Sequence, residues 1–155
     1  MSRIKLAELA QIAEIIAAVA VVVSLIYVGR EVQSNTYAVQ GAAMQAVATT
    51  DADALLTIAA DSTLSEIVRL GHLDSFQLTP ADAFRYQLFM RQFWLSMQNI
   101  YQQSALGLMD PSVWQSYVSV ICGMWSRAGP WETWSEHTNV LDAAFVAVVE
   151  ECERT

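Results

Sequence analysis

Apolar and polar positions divide this chain into one long apolar run and several amphipathic stripes. Between Leu9 and Val28, leucine, isoleucine or valine stands at positions 9, 12, 15, 16, 19, 21, 22, 23, 25, 26 and 28. Only Gln11, Glu14 and Ser24 interrupt it with polar groups. As an α-helix these twenty residues span roughly 30 Å, the thickness of a bilayer's hydrocarbon core. The eleven branched aliphatic side chains contribute roughly −3 to −7 kcal/mol to insertion. Glu14 opposes this by at most about 2.5–3.5 kcal/mol, and less because it lies off-centre. The balance predicts a membrane span.

Two other readings compete. The strictly uncharged stretch, Ile15 to Val28, is 14 residues, a length shared with buried core helices and signal-peptide cores. A cleaved signal is the weaker rival: Glu8 and Glu14 would fall in its leading region, and no Ala-x-Ala site follows the apolar run. The buried soluble helix is the serious one. Tyr27 and Arg30 at the far end suit a membrane-interface anchor and favour the span.

A second pattern lies within the run. Ala10, Ala13, Ala17, Ala20 and Ser24 recur at intervals of 3, 4, 3 and 4, which places all five on one narrow helical stripe. Small residues so arranged let a second helix approach closely inside lipid. Glu14 falls on the flank of the stripe, where a carboxyl group could hydrogen-bond a partner or stay protonated. These six residues form the expected helix-packing interface. Arg3, Lys5 and the amino terminus flank one side of the run and Arg30 the other, so positive-inside counting leans towards an internal N-terminus by one or two charges.

Beyond Arg30 the amphipathic stripes begin. The Ala-, Gln-, Val- and Leu-rich stretch from Glu31 to Ala60 predicts that the first helix continues, with Gly41 as a weak point. Thr63–Glu66 has the form of a capping box, Thr79-Pro80 and Asp110-Pro111 place a cap before a first-turn proline, and Asn139 with Asp142 gives a weaker start. Gly129-Pro130 breaks the chain. The expected helices are 3–60, 63–71, 80–106, 111–127, 131–137 and 139–153. Tyr86, Phe89, Met90, Phe93, Met97, Ile100 and Tyr101 make one apolar face. Trp114, Tyr117, Val118, Ile121, Met124 and Trp125 make another, and Leu141, Phe145, Val148 and Cys152 a third. Three such faces can enclose one core. The prediction is an all-α protein: a long N-terminal helix, residues 1–30 forming the anchor, followed by a small acidic helical bundle over 31–155.

Composition explains itself once the pattern is in view. The 155 residues are 54% hydrophobic and only 15% charged, and the single charge within 9–28 accounts for much of that shortfall. Residues 31–155 carry 14 acidic and 5 basic side chains, a net of −9. An acidic surface of this kind argues against nucleic-acid binding, which needs concentrated positive charge.

The inventory for chemistry is thin. His72 and His137 are the only histidines, each near a predicted helix end. Asp74 and Glu136 stand beside them, but neither grouping is a metal signature. There is no glycine-rich phosphate loop, no Gly-x-Ser-x-Gly and no Glu-x-x-His pair. Cys122 and Cys152 each lie on an apolar face and read as small buried hydrophobes, with a bridge left open. Arg85 and Arg91, in the most aromatic helix, read as partners of Asp82 or another rim carboxylate. The aromatic and methionine stripes read as core. No catalytic residue, metal or cofactor is expected.

Several segments together resemble a widespread group of uncharacterised bacterial proteins. They are Ala13–Ile16 with Leu25–Val28, the following Glu31–Thr36, Leu78–Pro80, Asn99–Gln102, Gly107–Asp110 with Trp114, and Gly129–Trp131 with Trp134. The resemblance implies a single-pass anchor helix in the bacterial inner membrane, a small helical domain and no assigned reaction. Members usually carry several basic residues after the anchor, which implies a cytoplasmic domain; here Arg30 stands alone on that flank. The expected function is a non-catalytic membrane-anchored accessory or interaction protein. Its partners are the lipid bilayer and another transmembrane helix, a membrane complex or a second copy of itself. The competing expectation is a soluble all-α binding module, with residues 9–28 as a buried core helix and a pocket for a small apolar ligand.

Overall fold

The computed structural model describes residues 6–152, with side chains from residue 8 onward. Among these the secondary structure is helical throughout: α1 (Leu6–Ala60), α2 (Ser62–Leu73), α3 (Pro80–Ala105), α4 (Pro111–Trp125), α5 (Ala128–His137) and α6 (Ala143–Glu151). Short 3₁₀ turns occupy Ser75–Gln77 and Thr138–Val140. The expected helix ends at 3 and 153, and the flanking charges Arg3 and Lys5, lie outside the described residues. The chain divides into two compact units, Met1–Gly41 and Ala42–Thr155.

In the first unit, α1 continues past Arg30 without a break, as its composition predicts. Every leucine, isoleucine and valine from Leu9 to Val28 is exposed. The soluble alternative expects these residues buried in a core; within this unit taken by itself they are not. Such a helix is amphipathic or buried in a soluble domain. This one is apolar on all sides and uncovered.

In the second unit, side-chain caps decide where helices start. Thr79 accepts from the Asp82 amide at 3.3 Å, with Pro80 at the position where a missing N–H leaves nothing unsatisfied. Asp110 accepts from the Ser112 amide at 2.8 Å ahead of Pro111. Asp142 accepts from Ala144 at 2.9 Å and Phe145 at 3.2 Å, and Asn139 falls in the preceding 3₁₀ turn. Two expected boundaries need correction. The capping box at Thr63 does not form, because Asp61 takes the amides of Thr63 and Leu64 at 2.8 and 3.0 Å. A carboxylate so close to a helix N-terminus also complements the dipole, which a hydroxyl cannot. Glu66 turns instead to Arg69, at 2.7 Å. Gly129-Pro130 does not break the chain either: both sit in the first turn of α5, where proline is tolerated.

The core brings together Ile67, Tyr86, Met90, Trp94, Met97, Ile100, Met109, Ile121, Trp134, Phe145 and Val149, with Val47 from the last part of α1. Tyr86, Met90, Met97, Ile100, Ile121 and Phe145 come from the three predicted faces. Phe89, Phe93, Tyr101 and most of the α4 face are only partly buried against them. The aromatic stripes therefore serve as core. Trp94, absent from the predicted face, is fully buried and packs edge-on against Trp134 with ring centroids 4.6 Å apart. Edge-to-face pairs at such separations add to the gain from area burial alone. Cys122 and Cys152 are not free apolar fillers. They form a disulfide, Cα–Cα 5.0 Å, tying α4 to the end of α6.

Candidate functional site

The apolar face of α1 is the most unusual surface in the molecule. Twelve large apolar side chains between Leu9 and Val28 are each about half to two-thirds exposed. Soluble monomers rarely show contiguous apolar patches beyond a few hundred Å². The helix is long and apolar enough to cross a membrane, and none of its most apolar segment is buried.

Each predicted interface residue lies on this helix. Ala10, Ala13, Ala17, Ala20 and Ser24 are exposed, as is Glu14 beside them. The Ser24 hydroxyl donates to the Ala20 carbonyl at 2.8 Å, so its polar group is satisfied within the helix and leaves the stripe smooth. Glu14 has no ion pair or side-chain hydrogen bond among the described residues. Tyr27 and Arg30 are exposed one turn apart at the end of the run.

Two surface grooves stand out among the described residues of the bundle. One, of about 180 Å³, lies between α3 and the end of α5 and is lined by Phe84, Gln87, Leu88, Arg91, Glu136, His137 and Val140. Gln87 donates to Glu136 at 3.0 Å across it. His137 is 6% exposed and its Nε2 atom has no hydrogen-bond partner. Burial holds its pKa below the ordinary value; Glu136 pulls the other way and Arg91 reinforces the burial. The second groove, of about 450 Å³ and open to solvent, is lined by Val68, Arg69, His72, Leu73 and Arg127. Here His72 donates through Nδ1 to the Val68 carbonyl at 2.8 Å, and its ring stands edge-on to Tyr86 at 5.7 Å. Burial is also the main reason its pKa is low; the bond to Val68 opposes this and the Arg127 charge adds to it.

The histidines therefore belong to separate grooves; Glu136 shares the groove of His137, whereas Asp74 does other work. Asp74 caps the 3₁₀ turn by accepting from Phe76 at 3.0 Å. No group of three or more His, Cys, Asp or Glu could share a metal ion among the described residues. Arg85 pairs with Asp82 at 3.7 Å, as its spacing implies. The meeting of Arg127 and His72 in one groove has no local signature in the sequence, because the two are remote along the chain. No known protein family, curated protein or solved structure matches this chain.

Proposed function

We propose that this chain is a single-pass membrane-anchored interaction protein without catalytic activity. Residues 9–28 cross a bacterial inner membrane, and the acidic bundle docks to or stabilises a larger assembly at its surface. The alanine stripe from Ala10 to Ser24 packs on the same helix of a second copy or on a helix of a membrane complex. The observation that carries this reading is the uncovered apolar run on α1. Burying it at about 25 cal/mol per Å² is a large gain that water cannot supply.

The bridge between Cys122 and Cys152 favours one orientation. Structural disulfides persist in oxidising compartments and are rare in the cytosol. With Arg3 and Lys5 before the span and Arg30 alone close behind it, the N-terminus stays inside and the bundle faces outward. This is the reverse of the cytoplasmic placement implied by the bacterial group the sequence resembles.

Washing isolated membranes with alkaline carbonate tests the anchor. The protein should remain in the pellet, and its release into the supernatant would sink the reading. Protease added to the outside of intact spheroplasts should then digest the bundle. Ala17→Leu should weaken co-purification of the partner in mild detergent, whereas unchanged association would remove the stripe from the contact.

A further inference from the structure

We propose that the groove between the end of α2 and the start of α5 is an anion site. It takes a phosphate group on Arg127 and His72, with the organic part of the ligand lying along Val68 and Leu73. Arg127 makes no ion pair or side-chain hydrogen bond among the described residues, in a bundle with an excess of carboxylates. Two carboxylates on the helices that form the groove are engaged elsewhere. Glu66 is held by both Nε and Nη2 of Arg69, at 2.8 and 2.7 Å. Glu132 accepts from the amide and hydroxyl of Ser75. A planar guanidinium left open in this way offers a fork that matches phosphate oxygens.

His72 supplies the second contact. Its Nδ1–H is committed to Val68, so protonation creates a new donor at Nε2. The groups facing the ring are Tyr86 and Phe89 from α3, Arg127 ahead of α5 and Arg69 on its own helix. The Tyr86 hydroxyl, fully buried behind His72, has no hydrogen-bond partner and feels the charges of both Arg127 and Glu132. An anion in the groove would turn a site that disfavours a protonated imidazole into one that favours it. Val68 and exposed Leu73 add an apolar shelf beside the charge, which suits an amphiphilic phosphate better than a bare ion. The site is independent of the anchor reading.

The test uses the full chain in neutral maltoside micelles, with the His72 ring proton followed by NMR across pH. Inorganic phosphate should raise the His72 midpoint by about one pH unit over chloride at equal ionic strength, as a neighbouring opposite charge does. His137, in the other groove, should not move and serves as the internal control. Arg127→Gln should weaken phosphate binding roughly tenfold, the effect of losing one charge-assisted contact. Arg127→Lys, which keeps the charge but not the fork, should fall between. Near-UV circular dichroism of the tryptophan cluster checks that each variant is folded, and Arg127→Lys decides the matter should Arg127→Gln unfold. Nanodiscs then separate the sources: a shift with phosphatidylglycerol but not phosphatidylcholine assigns a lipid headgroup, and a shift with free phosphate alone assigns a soluble ester. If neither probe moves His72 beyond chloride, or if Arg127→Gln binds phosphate as well as the parent, the proposal is overturned.

Discussion

Gly129 at the start of α5 lies so close to Gly71 of α2 that a Cβ on Gly129 would stand 1.5 Å from the Gly71 carbonyl oxygen. A Cβ on Gly71 would in turn meet the Tyr86 ring at 2.4 Å. Both glycines are buried, and Tyr86 has no room to swing because it is fully buried itself. The absence of two side chains is thus what lets α2, α3 and α5 meet. Gly129→Ala should destabilise the bundle by at least ~3 kcal/mol, at the upper end for overpacking, since the obstacle is backbone and cannot rotate away. Gly41→Ala is the natural control: nothing lies within 4 Å of its added Cβ. It should be neutral or stabilising by about 0.5–1 kcal/mol through helix propensity. Urea midpoints followed by tryptophan fluorescence in micelles would rank them; equal midpoints for Gly129→Ala and the parent would contradict the close crossing.

The disulfide closes a loop with a sequence separation of 30 between α4 and the end of α6. Chain-entropy arguments give roughly 3.5 kcal/mol for a loop of that size. Reduction with dithiothreitol, or the Cys122→Ala/Cys152→Ala pair, should lower bundle stability by about that amount. Alkylation of intact cells should find neither thiol reactive until a reductant is added. Free thiols in freshly lysed cells would argue against an oxidising compartment and against the outward-facing bundle.

Local rules made most of the fold legible in the sequence. Thr79-Pro80 and Asp110-Pro111 mark helix starts because capping and proline geometry act within four residues, and the stripes on α3 and α6 follow from helical periodicity. What could not be read depends on contacts remote in sequence. The Gly71–Gly129 crossing and the Cys122–Cys152 bridge leave no local trace. Trp94 escaped for a related reason. It lies at the edge of the α3 stripe, and it is buried because Trp134 arrives from α5. The stripe from Ala10 to Ser24 was fully visible as a pattern, but a helix in isolation does not name its partner. Arg127 and His72 share a groove only once the bundle has formed.

Acidification should weaken the bundle in two separate steps. His72 and His137 both have folded pKa values below the ordinary 6.5, chiefly through burial. The unfolded chain therefore binds more protons as pH falls through 6.5. Their contribution is complete above that value, shrinks below it, and stops changing beneath the folded pKa values. Glu66, held by Arg69, and Asp110, held by Ser112, are also lowered, and their contribution disappears only below the ordinary carboxylate values of 4.5 and 3.8. Comparing urea midpoints at pH 8 and pH 5.5 isolates the histidine step. Stability should be lower at pH 5.5, and His72→Gln/His137→Gln should flatten the difference. A midpoint that rises on acidification would mean that these rings gain protons on folding.

Tyr117 of α4 donates its hydroxyl to Asp51 in the last part of α1 at 2.5 Å, a contact within the second unit between residues remote in sequence. Partial burial, then the hydrogen bond and the carboxylate charge, push the phenol up to about 12. The folded state therefore keeps this proton where the unfolded chain, at an ordinary value of 10.0, gives it up. The stability it contributes is full below pH 10 and fades as pH rises towards 12. Tyr117→Phe should cost about 1–2 kcal/mol near neutrality, within the range for a hydrogen bond to a charged acceptor that keeps some access to water. Absorbance at 295 nm should show a delayed phenolate that Asp51→Asn moves back towards the normal range. If Asp51→Asn leaves the titration unchanged while Tyr117→Phe still destabilises, the tyrosine acts through packing, and the last part of α1 is held within the second unit by Val47 and its apolar neighbours instead.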